Sequence, residues 1–289
     1  MLSVLIVNWN TRDLLASCLE SLAMHPFQGG QEVIVVDNAS TDGSAQLVQE
    51  RFPWVRLLQS PKNLGYAQGN NLAFGAASGD LLLTLNPDTE VTPGCLNSAC
   101  GRLLELNHVG VLSVRFIGPD GNLQAGVRGL PSARGIIGDL TGIGLRMPGT
   151  VWDSYRLHHF DYEVEQDAPQ PMGTFLLFKR EALAAIGDPS SPFDPQFPIF
   201  FNEVDLLYRL KQAGWLCRYL PSARILHHGG MSTRQVRAPM IWESHKSLVR
   251  YFRKHLVKGA GWLGWPLFVA VVYLAALVRA RGYHAGFRP

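Results

Sequence analysis

Residues 32–51 read EVIVVDNASTDGSAQLVQER. Val33–Val36 is apolar without a break and wholly β-branched, which predicts a strand from Glu32 to Val36 buried on both faces. The run stops on Asp37, a polar turn follows, and Ser40 or Thr41 caps a helix through Ser44–Arg51. The same unit recurs on both sides. Leu2–Val7 is a second continuous apolar run, closed by the turn Asn8-Trp9-Asn10-Thr11 and followed by helical spacing over Asp13–Ala23. Downstream, Val55–Gln59 and Asp80–Leu85 read as strands, Asn70–Ala77 as a short helix and Pro93–Leu106 as the next helix. Strands alternating with helices predict an α/β fold, a mainly parallel sheet flanked by helices. No G-x-G-x-x-G follows the first strand, so the dinucleotide fingerprint is missing.

Ligands of open α/β sheets sit beyond the carboxyl ends of the strands. Here those ends carry Asn8 and Asn10, Asp37 and Asn38, Asn63, and Asn86 and Asp88. Two of them place an Asp directly after an apolar strand or its tight turn. In LLLTLNPDTEV, residues 81–91, Pro87 fixes its own φ and stiffens the turn that carries Asp88.

The middle of the chain is less regular. Pro119–Asn122 (PDGN) reads as a hairpin turn. Residues 126–149 are Gly-rich, with Arg128, Arg134 and Arg146 spaced through them, and read as a loop or lid. Gly173–Lys179 is a strand with a helix from Glu181, Asp205–Ala213 is helical, and Arg218–Leu220 and Ile225–Leu226 are short strands.

The chain has 289 residues, of which 47% are hydrophobic and 17% charged, enough for one large domain with a sizeable core. Cys18, Cys95, Cys100 and Cys217 have neither redox nor metal-finger spacing and read as reduced packing residues. The opening MLSVLIVNWN lacks a basic leader and reads as a strand, not a signal peptide.

The net charge of +3 is unevenly placed. From Ser244 to the end there is no acidic residue and eight basic ones: Lys246, Arg250, Arg253, Lys254, Lys258, Arg279, Arg281 and Arg288. Without those eight the first 243 residues carry −5, so the basic character belongs to the tail and nucleic acid is not an expected partner. Within that tail Trp262–Val278 (WLGWPLFVAVVYLAALV) is seventeen residues without a charge. Basic flanks and border tryptophans predict association with an anionic membrane surface. Spanning, lying in the leaflet and packing in an oligomer all stay open. The expected division is a globular domain over 1–243, made of residues 1–110 and 111–243, with a membrane-associating tail over 244–289.

Six stretches, in order, resemble the family 2 glycosyltransferases: SVLIVNWN, EVIVVDNASTDGS, NLGYAQGNN, GDLLLTLNPDTEV, PMGTFLLFKREAL and FFNEVDLLYRLKQAGW. Within the family they look most like bacterial rhamnosyltransferase-like enzymes of cell-surface polysaccharide synthesis. The resemblance covers roughly residues 2–230 and implies that 1–110 form a nucleotide-sugar half and 111–243 an acceptor half. It implies a GT-A fold and an inverting transfer of a sugar, rhamnose first among candidates, from a dTDP- or UDP-linked donor to a lipid-linked or polymeric glycan acceptor. It also implies a Mg²⁺ or Mn²⁺ cofactor and a cytoplasmic enzyme at the inner face of the membrane.

Residue by residue, the family's D-x-D turn falls on Asn86-Pro87-Asp88, which leaves Asp88 as the metal carboxylate. Asp37 falls where the nucleobase or ribose is contacted. Asn8, Asn10, Thr11 and Asn38 group with it, and Asn63 and Gly65 fall near the ribose–phosphate. The family's E-D-x-D becomes Asn202-Glu203-Val204-Asp205, which puts the catalytic base on Glu203 and a supporting role on Asp205. Gly173 lies in the acceptor segment. His227, better in register than His228, falls where the family has a metal-contacting histidine. The single carboxylate in N-P-D and the altered N-E-V-D keep a competing reading open, a degenerate membrane-docked scaffold of a polysaccharide assembly complex.

Overall fold

The computed structural model describes residues 1–229, 237–259 and 261–281. Gly230 and Arg288 lie outside them.

The chain opens with three β–α units and a fourth strand: β1 (Leu2–Asn8), α1 (Arg12–Met24), β2 (Gln31–Asp37), α2 (Ser44–Arg51), β3 (Arg56–Gln59), α3 (Gly65–Ala76) and β4 (Leu81–Leu85). These four strands run parallel in the order β3-β2-β1-β4. Successive side chains of a strand point to opposite faces, and both faces of β1 are covered. Leu2, Val4 and Ile6 pack with Leu15, Leu19 and Leu22 of α1, while Leu5 packs with Ala73 and Phe74 of α3. That explains why β1 reads as unbroken apolar sequence.

After β4 comes β5 (Thr89–Val91), then α4 (Cys95–Glu105) and β6 (Val109–Ile117). Neither β5 nor β6 is expected from the sequence reading. Next are β7 (Val127–Arg128), α5 (Ala133–Thr141), α6 (Ile143–Arg146), β8 (Gln166–Asp167), β9 (Gln170–Pro171), β10 (Phe175–Lys179) and α7 (Arg180–Ala184). The Gly-rich stretch expected to be a loop thus contains two helices. Then follow α8 (Asn202–Gln212), β11 (Leu216–His227), α9 (Arg237–Tyr251), a π-helical turn (Phe252–Leu256) and α10 (Gly261–Arg281).

The sheet continues from β4 through β10, β6 and β11 to β5, with β8 also on β11. β10 is antiparallel to both neighbours, β5 and β8 are antiparallel to β11, and the other strands share one direction, so the sheet is mainly parallel. β11 is one strand where two short ones are expected. A register break between Leu220 and Arg224, around Pro221, hides its continuity. All four cysteines are buried and unbridged.

The expected boundary at 243/244 falls inside α9. Beyond it Tyr251 and Phe252 are buried with Phe197 and Val204, and Trp265 and Phe268 of α10 pack on the same cluster. The basic tail is also partly neutralised: Arg250 pairs with Glu243, and Lys254 with Asp194 and Asp205. Most of α10 stays open, above all the opposite face through Leu263, Leu267, Val271, Leu274 and Val278. α10 is the one helix among the described residues long and apolar enough to cross a membrane by length and composition.

Candidate active site

The carboxyl ends of β1 and β2 form a closed polar network. Asn8 donates from Nδ2 to Asp37 Oδ1 (3.2 Å) and Ser40 Oγ (3.1 Å), and accepts from Thr11 Oγ1 (2.6 Å). Asp37 also accepts from the Ser40 amide (3.1 Å), and Asn10 accepts from the Thr41 amide (2.8 Å) while holding a φ of 51°. Asn38 donates to Asn63 Oδ1 and the Gly65 carbonyl and accepts from the Leu64 amide. Asn8 and Asn38 thus spend their side-chain bonds on shaping the loops, leaving ligand contact to the rims they hold. Gly65 has φ 75°, and a Cβ there would stand 2.9 Å from the Pro198 carbonyl oxygen, so this position requires glycine for its backbone.

β5 explains the Asn-Pro-Asp turn. It pairs antiparallel with β11, Thr89 opposite His227, and the His228 amide donates to the Asp88 carbonyl at 2.9 Å. Register thereby sets the buried Asp88 beside the buried His227, with Nε2 3.7 Å from Asp88 Oδ1. Gln124 fixes the tautomer. Its Nε2 donates to the His227 carbonyl (2.9 Å), so its Oε1 faces His227 Nδ1 (2.7 Å) and must accept a proton from it. Nε2 is then left with its lone pair toward Asp88. Burial holds His227 below the usual imidazole range, against the opposing pull of Asp88, so the ring is neutral near pH 7. A neutral imidazole oriented through its other nitrogen, next to a carboxylate, fits a divalent cation. Among the described residues no group of three or more His, Cys, Asp or Glu is arranged to hold a metal ion, and a hard cation at Asp88 and His227 would complete its shell with phosphate oxygens. His228 turns away to Glu90 (2.8 Å). Asn86 is half-buried at the start of the turn, its amide bound to the Thr174 carbonyl.

Glu203 stands in the first turn of α8, where the helix dipole favours carboxylates. The residue before that helix, Phe201, holds a φ of 64°, a left-handed conformation rare for a bulky side chain. Burial pushes the Glu203 carboxyl up to about 7, opposed by its own backbone amide and by Arg128. A Cβ on Gly173 would lie 3.7 Å from Glu203 Cγ and 3.8 Å from Tyr66 Oη. Glycine there therefore leaves open the space beside the carboxylate. Tyr66 donates to the Gly173 carbonyl (2.9 Å), and its hydroxyl feels the charges of both Glu203 and Asp88. Tyr66 thus places both carboxylates around one region of the molecule.

Asp205 faces the other way. It is wholly buried and accepts from Arg209 Nε (2.8 Å), Lys254 Nζ (2.6 Å) and His255 Nε2 (2.6 Å). Burial alone would raise its carboxyl, but these bonds and charges bring it down to about 2. Its carboxylate ties α8 to the C-terminal segment. We expect Asp205→Asn to destabilise the fold by about 1–3 kcal/mol at pH 7, because a wholly buried carboxylate gives up its charge-assisted bonds to Arg209, Lys254 and His255. Since the folded carboxyl titrates below its ordinary value, the wild-type advantage is complete above about pH 4 and fades as pH falls through about 2. Urea melts of both proteins at pH 7 and pH 3 check this; equal midpoints at pH 7 would remove Asp205 from the fold's support.

The model of the family described as "Glycosyl transferase family 2" matches residues 3–187, nearly two thirds of the chain and every β–α unit above. The chain belongs to glycosyl transferase family 2. Among this family 2 chain's relatives is the N-acetylglucosaminyl-diphospho-decaprenol L-rhamnosyltransferase of Mycobacterium tuberculosis, 30% identical over 280 residues, covering 92% of this chain and 88% of the relative. The O-antigen biosynthesis protein RfbC of Myxococcus xanthus is 25% identical over 82% of the chain but only 18% of its own length. In fold, the chain is similar to the mannosyltransferase PcManGT of Pyrobaculum calidifontis, solved with GDP-Man and Mn²⁺ (TM-score 0.59, 18% identity, 98% of this chain and 76% of that one). It is also similar to residues 1–349 of Staphylococcus aureus TarS (TM-score 0.54, 17% identity, 96% and 80%). The fold is that of the GT-A glycosyltransferases, and the family 2 chain is a glycosyltransferase.

Gln124 and Tyr66 are the two residues of this site that sequence reasoning does not single out. Tyr66 lies inside the NLGYAQGNN stretch that carries the resemblance, whereas Gln124 has no signal beyond a polar residue after a turn.

Proposed function

We propose that this chain is an inverting rhamnosyltransferase-like enzyme that moves a sugar from a dTDP- or UDP-linked donor to a hydroxyl of a lipid-linked glycan. The observation that carries the reading is the placement of a tautomer-fixed Asp88–His227 pair and a raised Glu203 carboxyl around Tyr66. The identity to the decaprenol-linked rhamnosyltransferase along nearly the whole chain supports the donor and acceptor classes.

Asp88 and His227 would hold Mg²⁺ or Mn²⁺, which when bound supplies positive charge to the departing diphosphate. The Asp37 and Asn63 loops shape the nucleoside end of the donor site. Glu203 takes the proton of the acceptor hydroxyl as that oxygen bonds to the anomeric carbon, and the bond to the nucleoside diphosphate breaks with its electron pair on the diphosphate oxygen. A carboxyl titrating near 7 is matched to that transfer at neutral pH. The open face of α10 lies on the anionic inner leaflet, where a lipid-linked acceptor is presented.

The test is transfer by the full chain from dTDP-rhamnose to a diphospholipid-linked N-acetylglucosamine, with and without Mn²⁺, alongside thermal shifts with a panel of sugar nucleotides. We expect metal-dependent product and a donor-induced rise in melting temperature. A donor-induced thermal shift with neither transfer nor donor hydrolysis, for every sugar nucleotide tried, would overturn the enzyme reading in favour of a nucleotide-sugar-binding scaffold.

A further inference from the structure

The α5–α6 unit has an inverted pattern. Its buried positions are Gly135, Gly138 and Gly144. A Cβ at Gly138 would lie 2.0 Å from the Trp152 carbonyl oxygen, and one at Gly144 2.7 Å from it. Backbone therefore closes the inner face, and the large apolar side chains point outward. Ile137, Leu140, Leu145, Met147 and Val151 are 46–66% exposed. Nothing among the described residues covers their exposed parts.

The charge around them is one-sided. Between residues 121 and 160 the only acidic residues are Asp139 and Asp153. Arg156 donates to Asp139 at 2.6 Å, and Asp153 is wholly buried between His158 and His159. Arg134 and Arg146 are exposed. The outer face is thus apolar and cationic, with no open carboxylate. It also adjoins α10. Ile136 of α5 joins the apolar cluster of Trp265 and Phe268, and Arg279 near the end of α10 lies in the field of Asp139 and Arg156.

We propose that the outer face of α5–α6 is a second membrane-docking surface, seated beside α10 on an anionic lipid leaflet. An apolar face ringed by arginines matches lipid tails below anionic headgroups. A helix face made for protein packing would close on apolar side chains, as the inner faces of α1 and α8 do. The inference rests on the membrane reading of α10 given above and adds a surface to it.

Cosedimentation of the full chain with phosphatidylglycerol–phosphatidylcholine vesicles tests it, comparing wild type, Leu140→Glu/Leu145→Glu in α5–α6 and Leu267→Glu/Leu274→Glu in α10. Each double variant should lose about tenfold or more in vesicle affinity. The α5–α6 variant should keep its melting temperature and donor-induced thermal shift, because both side chains are already in solvent. Arg134→Glu/Arg146→Glu leaves the apolar face untouched and should also weaken binding to anionic vesicles, more at low salt than at high salt. Wild-type affinity in the α5–α6 variant, with loss only in the α10 variant, would overturn this surface and leave the α10 reading standing. Failure of the wild type to bind would remove both. Retained vesicle binding with a change from dimer to monomer on size exclusion would reassign the face to a contact between copies.

Discussion

Asp88→Ala is expected to abolish metal-dependent donor binding while the protein stays folded. The fold survives because the Asp88 side chain makes no hydrogen bond among the described residues; its nearest polar partner is His227 at 3.7 Å. The backbone bond from the His228 amide to the Asp88 carbonyl does not depend on the side chain. The site loses its only carboxylate at the end of β4. Loss of outer partners of a metal ligand costs about 10–100-fold in metal affinity, so removal of the ligand itself should cost at least about 10²-fold. Titration of the nucleotide-sugar with and without Mn²⁺ separates the effects. Affinity in the absence of metal should be similar in both proteins, and the metal-dependent increment should vanish in the variant. Gln124→Leu should produce the smaller, 10–100-fold loss, since it frees the His227 tautomer without removing a ligand. An unchanged Mn²⁺ increment in Asp88→Ala would end the metal assignment.

How much of this was legible depended on whether local sequence carries the relevant contact. β1, β2 and β4 are buried on both faces, so their side chains have no polar alternation to confuse the reading, and their ends fall where expected. The neighbourhood of Asp88 and His227 is different. It depends on β5, three residues long, pairing with a strand that lies more than 130 residues away. A three-residue strand has no periodicity to detect. Gln124 meets His227 across 103 residues, and nothing in its own surroundings signals that. The α5–α6 helices failed for another reason. Hydrophobic periodicity assumes that apolar side chains mark the inner face, whereas here glycines do, and the pattern reads as a loop. Asp205 illustrates a half-legible case. Its place in the first turn of α8 could be read from sequence, but its bonds to Lys254 and His255 join it to a segment that looks, by composition, like a detachable tail.

Glu203→Gln should reduce kcat by about 10²–10⁴ with donor affinity retained, because the amide keeps the size of the side chain but takes no proton. The wild-type pH profile gives an independent signature. Glu203 acts as a base only when ionised, and its carboxyl is held up to about 7 by burial. Activity should therefore rise with pH to a plateau above about 7, and the variant's residual rate should lack that step. Stability should move in the opposite direction. A carboxyl whose folded pKa exceeds its unfolded 4.5 binds more protons in the native state, so the wild type loses stability as pH rises from about 4.5 to 7. Gln carries no such burden, and Glu203→Gln should be more stable than wild type by about 3 kcal/mol at pH 8 and equal to it at pH 4. Gain of stability with loss of turnover in one substitution is the mark of a carboxylate kept in an unfavourable place for its chemistry. The left-handed backbone of Phe201, two residues before Glu203, is consistent with this. A variant with near wild-type turnover and an unchanged pH profile would move the base elsewhere. Asp205, saturated by its bonds to Arg209, Lys254 and His255, would not be its replacement.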